Sequence, residues 1–201
     1  MIRIAIATSN KHKVEEANEV LKRFGIEVYP VNVKKVEVQS ENLEEIAVEA
    51  ARYAYREFGK PIIVEDSGLF IRALNGFPGP YSSYVYKTIG LWGVLKLLEG
   101  CDDRSAYFKA VVALALDERN IQVFTGVVEG FIAYEARGSQ GFGFDPIFVP
   151  LGYDKTFAEL GKEVKCRISH RAKAFEELAK WVSANIEILS PYNLRNANGG
   201  S

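Results

Sequence analysis

Ile62-Ile63-Val64-Glu65-Asp66-Ser67-Gly68 carries an apolar, β-branched run straight into two adjacent carboxylates, a hydroxyl and a glycine. The run reads as a buried strand, and buried parallel strands present their chemistry just past their carboxyl ends. Two acids at such a tip repel each other and lose hydration, so they need a compensating charge. A divalent cation is the simplest source of one. The plain alternative is a strand-to-turn junction in water.

Working outward, Ile2 to Thr8 reads as another strand, followed by the polar loop Ser9 to Lys13. Val14, Ala17, Leu21 and Phe24 recur at helical spacing, and Gly25 stops that helix. Val28 to Val38 is strand-like, with Lys34-Lys35 interrupting it. A second helix is predicted from Leu43 to Phe58, with Leu43, Ile46, Ala47, Ala50, Ala54 and Phe58 on one face. Downstream, Asn75 to Pro80 demands a structured turn, and a helix is predicted over Tyr84 to Leu98. Ala106 to Leu116 and Ile121 to Tyr134 are long β-rich runs joined by Asp117-Glu118-Arg119-Asn120, the pattern of a hairpin. A glycine-rich loop (Gly138 to Gly143), a short apolar run (Pro146 to Pro150) and a helix from His170 to Asn185 complete the reading. The sum is an α/β protein with a mixed sheet, strand–helix units first and an antiparallel ribbon after. One domain is expected over 1–190, with 191–201 a flexible tail lacking apolar anchors.

The 201 residues are 48% hydrophobic and 25% charged, ordinary for a globular protein, with a formal net charge of −1. That balance argues against binding long nucleic acid through bulk charge. Cys101 and Cys166 show neither metal-ligand spacing nor a disulfide framework, which points to a reducing compartment. Ile2 to Ala7 is too short for a signal or a membrane span, so a cytoplasmic location without membrane contact is expected.

Three further segments could carry chemistry. Thr8-Ser9-Asn10-Lys11-His12-Lys13 joins a strand to a helix and brings backbone N–H groups, hydroxyls and ammonium groups to one spot, an anion site by geometry. The P-loop spacing is absent, and a helix cap by Ser9 or Asn10 is the simpler reading. Glu37 is unremarkable unless it meets Glu65 and Asp66, when three acids would suit Mg²⁺ together with phosphate oxygens. In Gly141-Phe142-Gly143-Phe144-Asp145-Pro146, Phe142 or Phe144 offers a face for a purine. Lys165, His170 and Arg171 add donors, with Ser169 as a cap.

These segments, with Val64-Glu65-Asp66-Ser67-Gly68, Asn75 to Ser82 and Ile168-Ser169-His170-Arg171, resemble the inosine triphosphate pyrophosphatase family in order and over nearly the whole chain. The resemblance implies an elongated two-lobed α/β fold with a long mixed sheet flanked by helices, an active-site cleft between the lobes, and a homodimer. It implies cleavage of the deaminated purine nucleoside triphosphates ITP, dITP and XTP to the monophosphate and pyrophosphate. In that scheme Thr8, Ser9, Asn10, Lys11, His12 and Lys13 hold the triphosphate, and Glu37 and Asp66 hold Mg²⁺, with Mn²⁺ the alternative. Glu65 is a candidate third acid. Asp66 is also the base for water and Ser67 touches substrate, while Phe142, Gly143, Phe144, Asp145, Lys165, His170 and Arg171 enclose and read the base. Two departures stand out: many members carry a lysine in the helix that here offers Glu49 and Ala50, and some have aspartate where this chain has Glu65. The rival readings are a pyrophosphatase for pyrimidine or modified nucleotides and a nucleotide sensor without turnover.

Overall fold

The computed structural model describes residues 1–33, 36 and 38–192. Two kinds of strand pairing share one seven-stranded sheet. Strand β1 (Ile2–Ala7) lies parallel to both β2 (Ile26–Val31) and β3 (Ile62–Ile71). Parallel neighbours need crossovers, supplied by helices α1 (Lys11–Leu21) and α2 (Leu43–Phe58). From β3 onward the pairing is antiparallel, through the short β4 (Pro78–Gly79), the long ribbon β5 (Ser105–Ala115) and β6 (Ile121–Ile132), and β7 (Phe148–Pro150). The order across the sheet is β2-β1-β3-β5-β6-β7, with β4 on β3.

Side-chain alternation sends each strand's residues to two faces. Ile4, Ile6, Ile63, Val112 and Leu114 meet α1 and α6 (His170–Ala184) on one face. Ala5, Ile62, Val64, Val111 and Ala113 meet the alanine-rich stripe of α2 on the other. Asn42 caps α2 by accepting from the Glu44 and Glu45 N–H groups, and Gly59 ends it at φ +72°. A third apolar cluster joins Leu69, Ile71, Phe108 and Phe148 to α3 (Ser82–Thr88), α4 (Gly90–Leu97) and Phe157.

Several expectations change. The predicted Tyr84–Leu98 helix is two, divided at Gly90, whose φ of +63° breaks helical geometry. The β2 strand stops at Val31 instead of running to Val38. Lys34, Lys35, Glu37 and the tail Asn193 to Ser201 lie outside the described residues. Helix α5 (Phe157–Ile168) was not expected; a Thr156/Glu159 capping box starts it and Gly161, at φ +80°, kinks it. A short α7 (Ile186–Leu189) follows α6. No described helix is long and apolar enough to cross a membrane.

Candidate active site

The largest correction concerns the two adjacent acids. The β3 strand does not end at them: Glu65 pairs with Val112 and Asp66 with Val111, deep within the β3–β5 ladder. Consecutive strand residues point to opposite faces, so Glu65 and Asp66 do not converge on one ligand position. Glu65 faces α1 and α6, where Oε1 accepts from Arg171 Nε at 3.1 Å and Oε2 pairs with Lys13 Nζ at 2.7 Å. Protein cations compensate it, so Glu65 is not available as a metal ligand. Asp66 turns to the α2 face, and its Oδ1 accepts from the Ser67 N–H at 3.0 Å. On the β1 side, pairing of β3 ends at Ile63 and resumes with β4 only at Leu69. Among the described residues, the β3 edge between them has no strand partner.

A buried charge cluster fills the α1/α6 side. Arg171 donates from Nη1 to Glu16 Oε2 at 2.6 Å and from Nη2 to Ser67 Oγ at 3.0 Å, besides its bond to Glu65. Lys165 Nζ lies 2.8 Å from Glu16 Oε1 and 2.7 Å from Asp145 Oδ2. Three cations (Lys13, Lys165, Arg171) thus face three acids (Glu16, Glu65, Asp145), and the cluster is neutral as a whole. Such balance is what burial demands, because an unpaired buried charge is very unfavourable. Burial alone would raise the Glu16 and Glu65 carboxyls. Arg171, with Lys165 beside Glu16 and Lys13 beside Glu65, outweighs it and holds both below the ordinary carboxylate range. For Asp145 burial wins over Lys165, and its carboxyl is raised.

Around this cluster sits an aromatic wall. The Phe142 ring stacks on His12 at 5.4 Å, with Lys165 Nζ 4.3 Å and Arg171 Cζ 5.4 Å from its centroid. The Phe142 N–H donates to Asp145 Oδ2 at 2.9 Å, and a Cβ on Gly141 would run into that same carboxylate. Gly143 takes φ +61° in the turn that follows. Phe144 is a correction: its ring is buried, edge-on to Tyr86, so it offers no stacking face. His170 lies flat against Phe108 at 4.7 Å, and its Nδ1 has no hydrogen-bond partner among the described residues. Burial, then Arg171 and Lys165, push the imidazole well below its usual range, so it is neutral. A neutral, buried ring with an unsatisfied nitrogen is suited to a ligand's polar edge.

In the first loop, Asn10, not Ser9, caps α1 by accepting from the His12 N–H, and Thr8 Oγ1 accepts from the Asn10 N–H. Ser9, Lys11 and His12 are exposed, while Lys13 is tied back to Glu65. Lys13 keeps two ammonium N–H groups beyond that pair. Ser169 caps α6 by accepting from the Ala172 N–H.

For a divalent ion, no three acid, histidine or cysteine side chains converge among the described residues. Glu37 lies outside them. Mg²⁺ binds through one or two carboxylates plus substrate phosphates, keeping waters, rather than in an all-protein cage. Asp66, an oxygen donor beside the open β3 edge, fits that mode.

The sequence reading missed Glu16, which ties Arg171 to Lys165. Its signal was present: Glu16 falls on the buried stripe of α1 with Ala17, Val20 and Leu21, where an acid needs a partner.

A model of the Ham1 family matches residues 4–181. The dITP/XTP pyrophosphatase of Ignicoccus hospitalis is 56% identical over 182 residues, covering 90% of this chain and 97% of that protein. The dITP/XTP pyrophosphatase of Thermococcus kodakarensis is 50% identical, over 92% of this chain and 100% of its own length. Among solved structures, a HAM1 protein from Coxiella burnetii superposes with a TM-score of 0.82 at 37% identity, over 92% of this chain and 100% of that one.

Proposed function

We propose, from the premise that the chain belongs to the Ham1 family, that it hydrolyses dITP, XTP and ITP to the nucleoside monophosphate and pyrophosphate. The observation that carries this reading is the open edge of β3. Base-sized donors and an aromatic ring lie on one face, Asp66 lies on the other, and one peptide unit separates them. A nucleotide crossing that edge puts its base against Phe142 and His170 and its phosphates beside Asp66.

The donor inventory explains the choice of base. Arg171 uses three of its five N–H groups within the cluster and Lys165 two of its three, so the remaining hydrogens are all donors. Hypoxanthine and xanthine present a 6-keto acceptor to them. Adenine presents an amino donor and leaves buried groups unpaired, a mismatch that sites of this kind reject strongly. With Mg²⁺, kcat/KM for dITP is expected to exceed that for dATP by on the order of 10² or more. Coupled pyrophosphate detection over dITP, dATP, XTP, ITP and ATP checks this, and equal values for ATP and ITP would refute the donor model.

On the phosphate side, Asp66 takes the proton from the attacking water as the bond between the α-phosphorus and the bridging oxygen breaks, and pyrophosphate leaves. Asp66 and Glu37 would hold Mg²⁺, which would supply charge neutralisation to the phosphate oxygens. The loop Thr8 to Lys13 and the two remaining Lys13 N–H groups grip the triphosphate, and Ser67 sits against substrate beside Arg171.

The same reading includes a homodimer. Tyr84 and Trp92 are 70% and 73% exposed on α3 and α4, with Ile89 exposed between them, an apolar face suited to a second copy. Trp92→Glu should sediment as a monomer at concentrations where the unaltered protein is a dimer. A dimeric variant would move the interface elsewhere.

A further inference from the structure

Lys109 is the only lysine or arginine in either β3 or β5. It pairs with Gly68, two register positions beyond the Asp66–Val111 pair. Residues directly opposite in an antiparallel ladder share a face, and diagonal neighbours stand roughly 7–8 Å apart. Lys109 is therefore beside Asp66 on the α2 face, across β3 from the base-reading cluster. Its Nζ lies 2.6 Å from Glu44 Oε1, with the two side chains 23% and 37% exposed. The pair opens onto a cavity of about 350 Å³ that Ser40, Glu41, Asn42, Leu43, Phe70 and Tyr107 also line. Phe70 and Tyr107 stack with ring planes 1° apart and form a flat, uncharged wall.

Nothing in the fold requires this ammonium group. A half-exposed ion pair contributes little to stability, typically below about 1 kcal/mol, and a Lys109 stem needs no charge to pack. A partly exposed cation beside the proton-accepting Asp66 and next to a cavity suits an anion that arrives and leaves. We infer that Lys109 binds the pyrophosphate portion of the substrate, exchanging Glu44 for phosphate oxygens as the nucleotide enters and returning to Glu44 when pyrophosphate departs. The inference rests on the pyrophosphatase reading above and assigns the far end of the same site. The direction follows from placement: the base is anchored beyond Ser67 on one face, Asp66 stands at the crossing, and Lys109 lies past Asp66 on the other face.

The test is titration calorimetry of the full-length protein with magnesium pyrophosphate and, separately, with IMP. Lys109→Met should weaken pyrophosphate binding at least tenfold and leave IMP affinity unchanged, and Lys109→Arg should restore most of the loss. Glu44→Gln removes the competing carboxylate and should tighten pyrophosphate binding severalfold. A merely structural pair would respond alike to loss of either partner, so opposite signs separate the two roles. Unchanged pyrophosphate affinity in Lys109→Met, or shifts of the same sign in both variants, overturns the assignment. Should Lys109→Met fail to fold, the sign of the Glu44→Gln shift still decides. An unaltered protein that binds pyrophosphate through Lys109 but releases none from dITP would instead refute the pyrophosphatase reading, so the two failures are distinguishable.

Discussion

Asp66→Asn is expected to lower kcat for dITP by roughly 10²–10⁴-fold, the usual range for losing a positioned proton acceptor. The substitution is nearly isosteric, and the asparagine Oδ1 can still accept from the Ser67 N–H, so the β3–β5 register survives. What disappears is the carboxylate's ability to take a proton and to meet a cation. The groups proposed to read the base, Phe142, Lys165, His170 and Arg171, cluster on the opposite face of β3 from Asp66. Nucleotide affinity should therefore persist while turnover collapses. Steady-state kinetics combined with equilibrium binding of IMP makes the distinction, and a kcat near that of the unaltered enzyme would remove Asp66 from the role.

The second large effect concerns stability. Glu16→Gln leaves Arg171 and Lys165 buried with one acid fewer, so the cluster carries a net positive charge. Breaking a buried pair in this way costs about 3–5 kcal/mol. The pH dependence follows from the direction of the shift. Glu16 has a depressed carboxyl pKa in the folded protein, so its stabilisation is fully present above the unfolded-chain value. It is lost as pH falls through the folded value, where a protonated Glu16 resembles glutamine. Urea unfolding should therefore show a wide gap between variant and parent at pH 7 that narrows steadily in acid. A gap equally wide at both extremes would mean that the ionised carboxylate is not its source.

Much of this architecture can be read from the residues, and the exceptions have physical causes. Helix α2 emerges to the residue because its apolar stripe is regular and Gly59 closes it. The β5–β6 hairpin is equally legible, with Asp117 Oδ1 accepting from the Arg119 and Asn120 N–H groups in the turn. By contrast, β3 looks as if it stops at Glu65, because charged residues normally end an apolar run. Here Glu65 is buried inside the strand, since Arg171, 106 residues later, meets it. Helix α5 was obscured by Gly161, although Thr156 and Glu159 spell a capping box. The candidate site was legible as a set of residue types but not as an arrangement. The residue types, Glu16 apart, are visible in the chain, but only the alternation of β3 sends Glu65 to the α6 face and Asp66 to the α2 face.

The Arg171 contacts also set a timetable for synthesis. Its partner Glu16 lies 155 residues upstream. At ribosomal speeds of about 5–20 residues per second, the guanidinium emerges roughly 5–20 s after Glu65 has left the tunnel. During that interval Lys13 is the one counterion of Glu65 already made, and the first strands must close over it without the Arg171 half of its compensation. Closing such distant segments is entropically slow as well. A nascent chain truncated ahead of α6 lacks His170 and Arg171, and with Arg171 the one group that ties Glu16, Glu65 and Ser67 together.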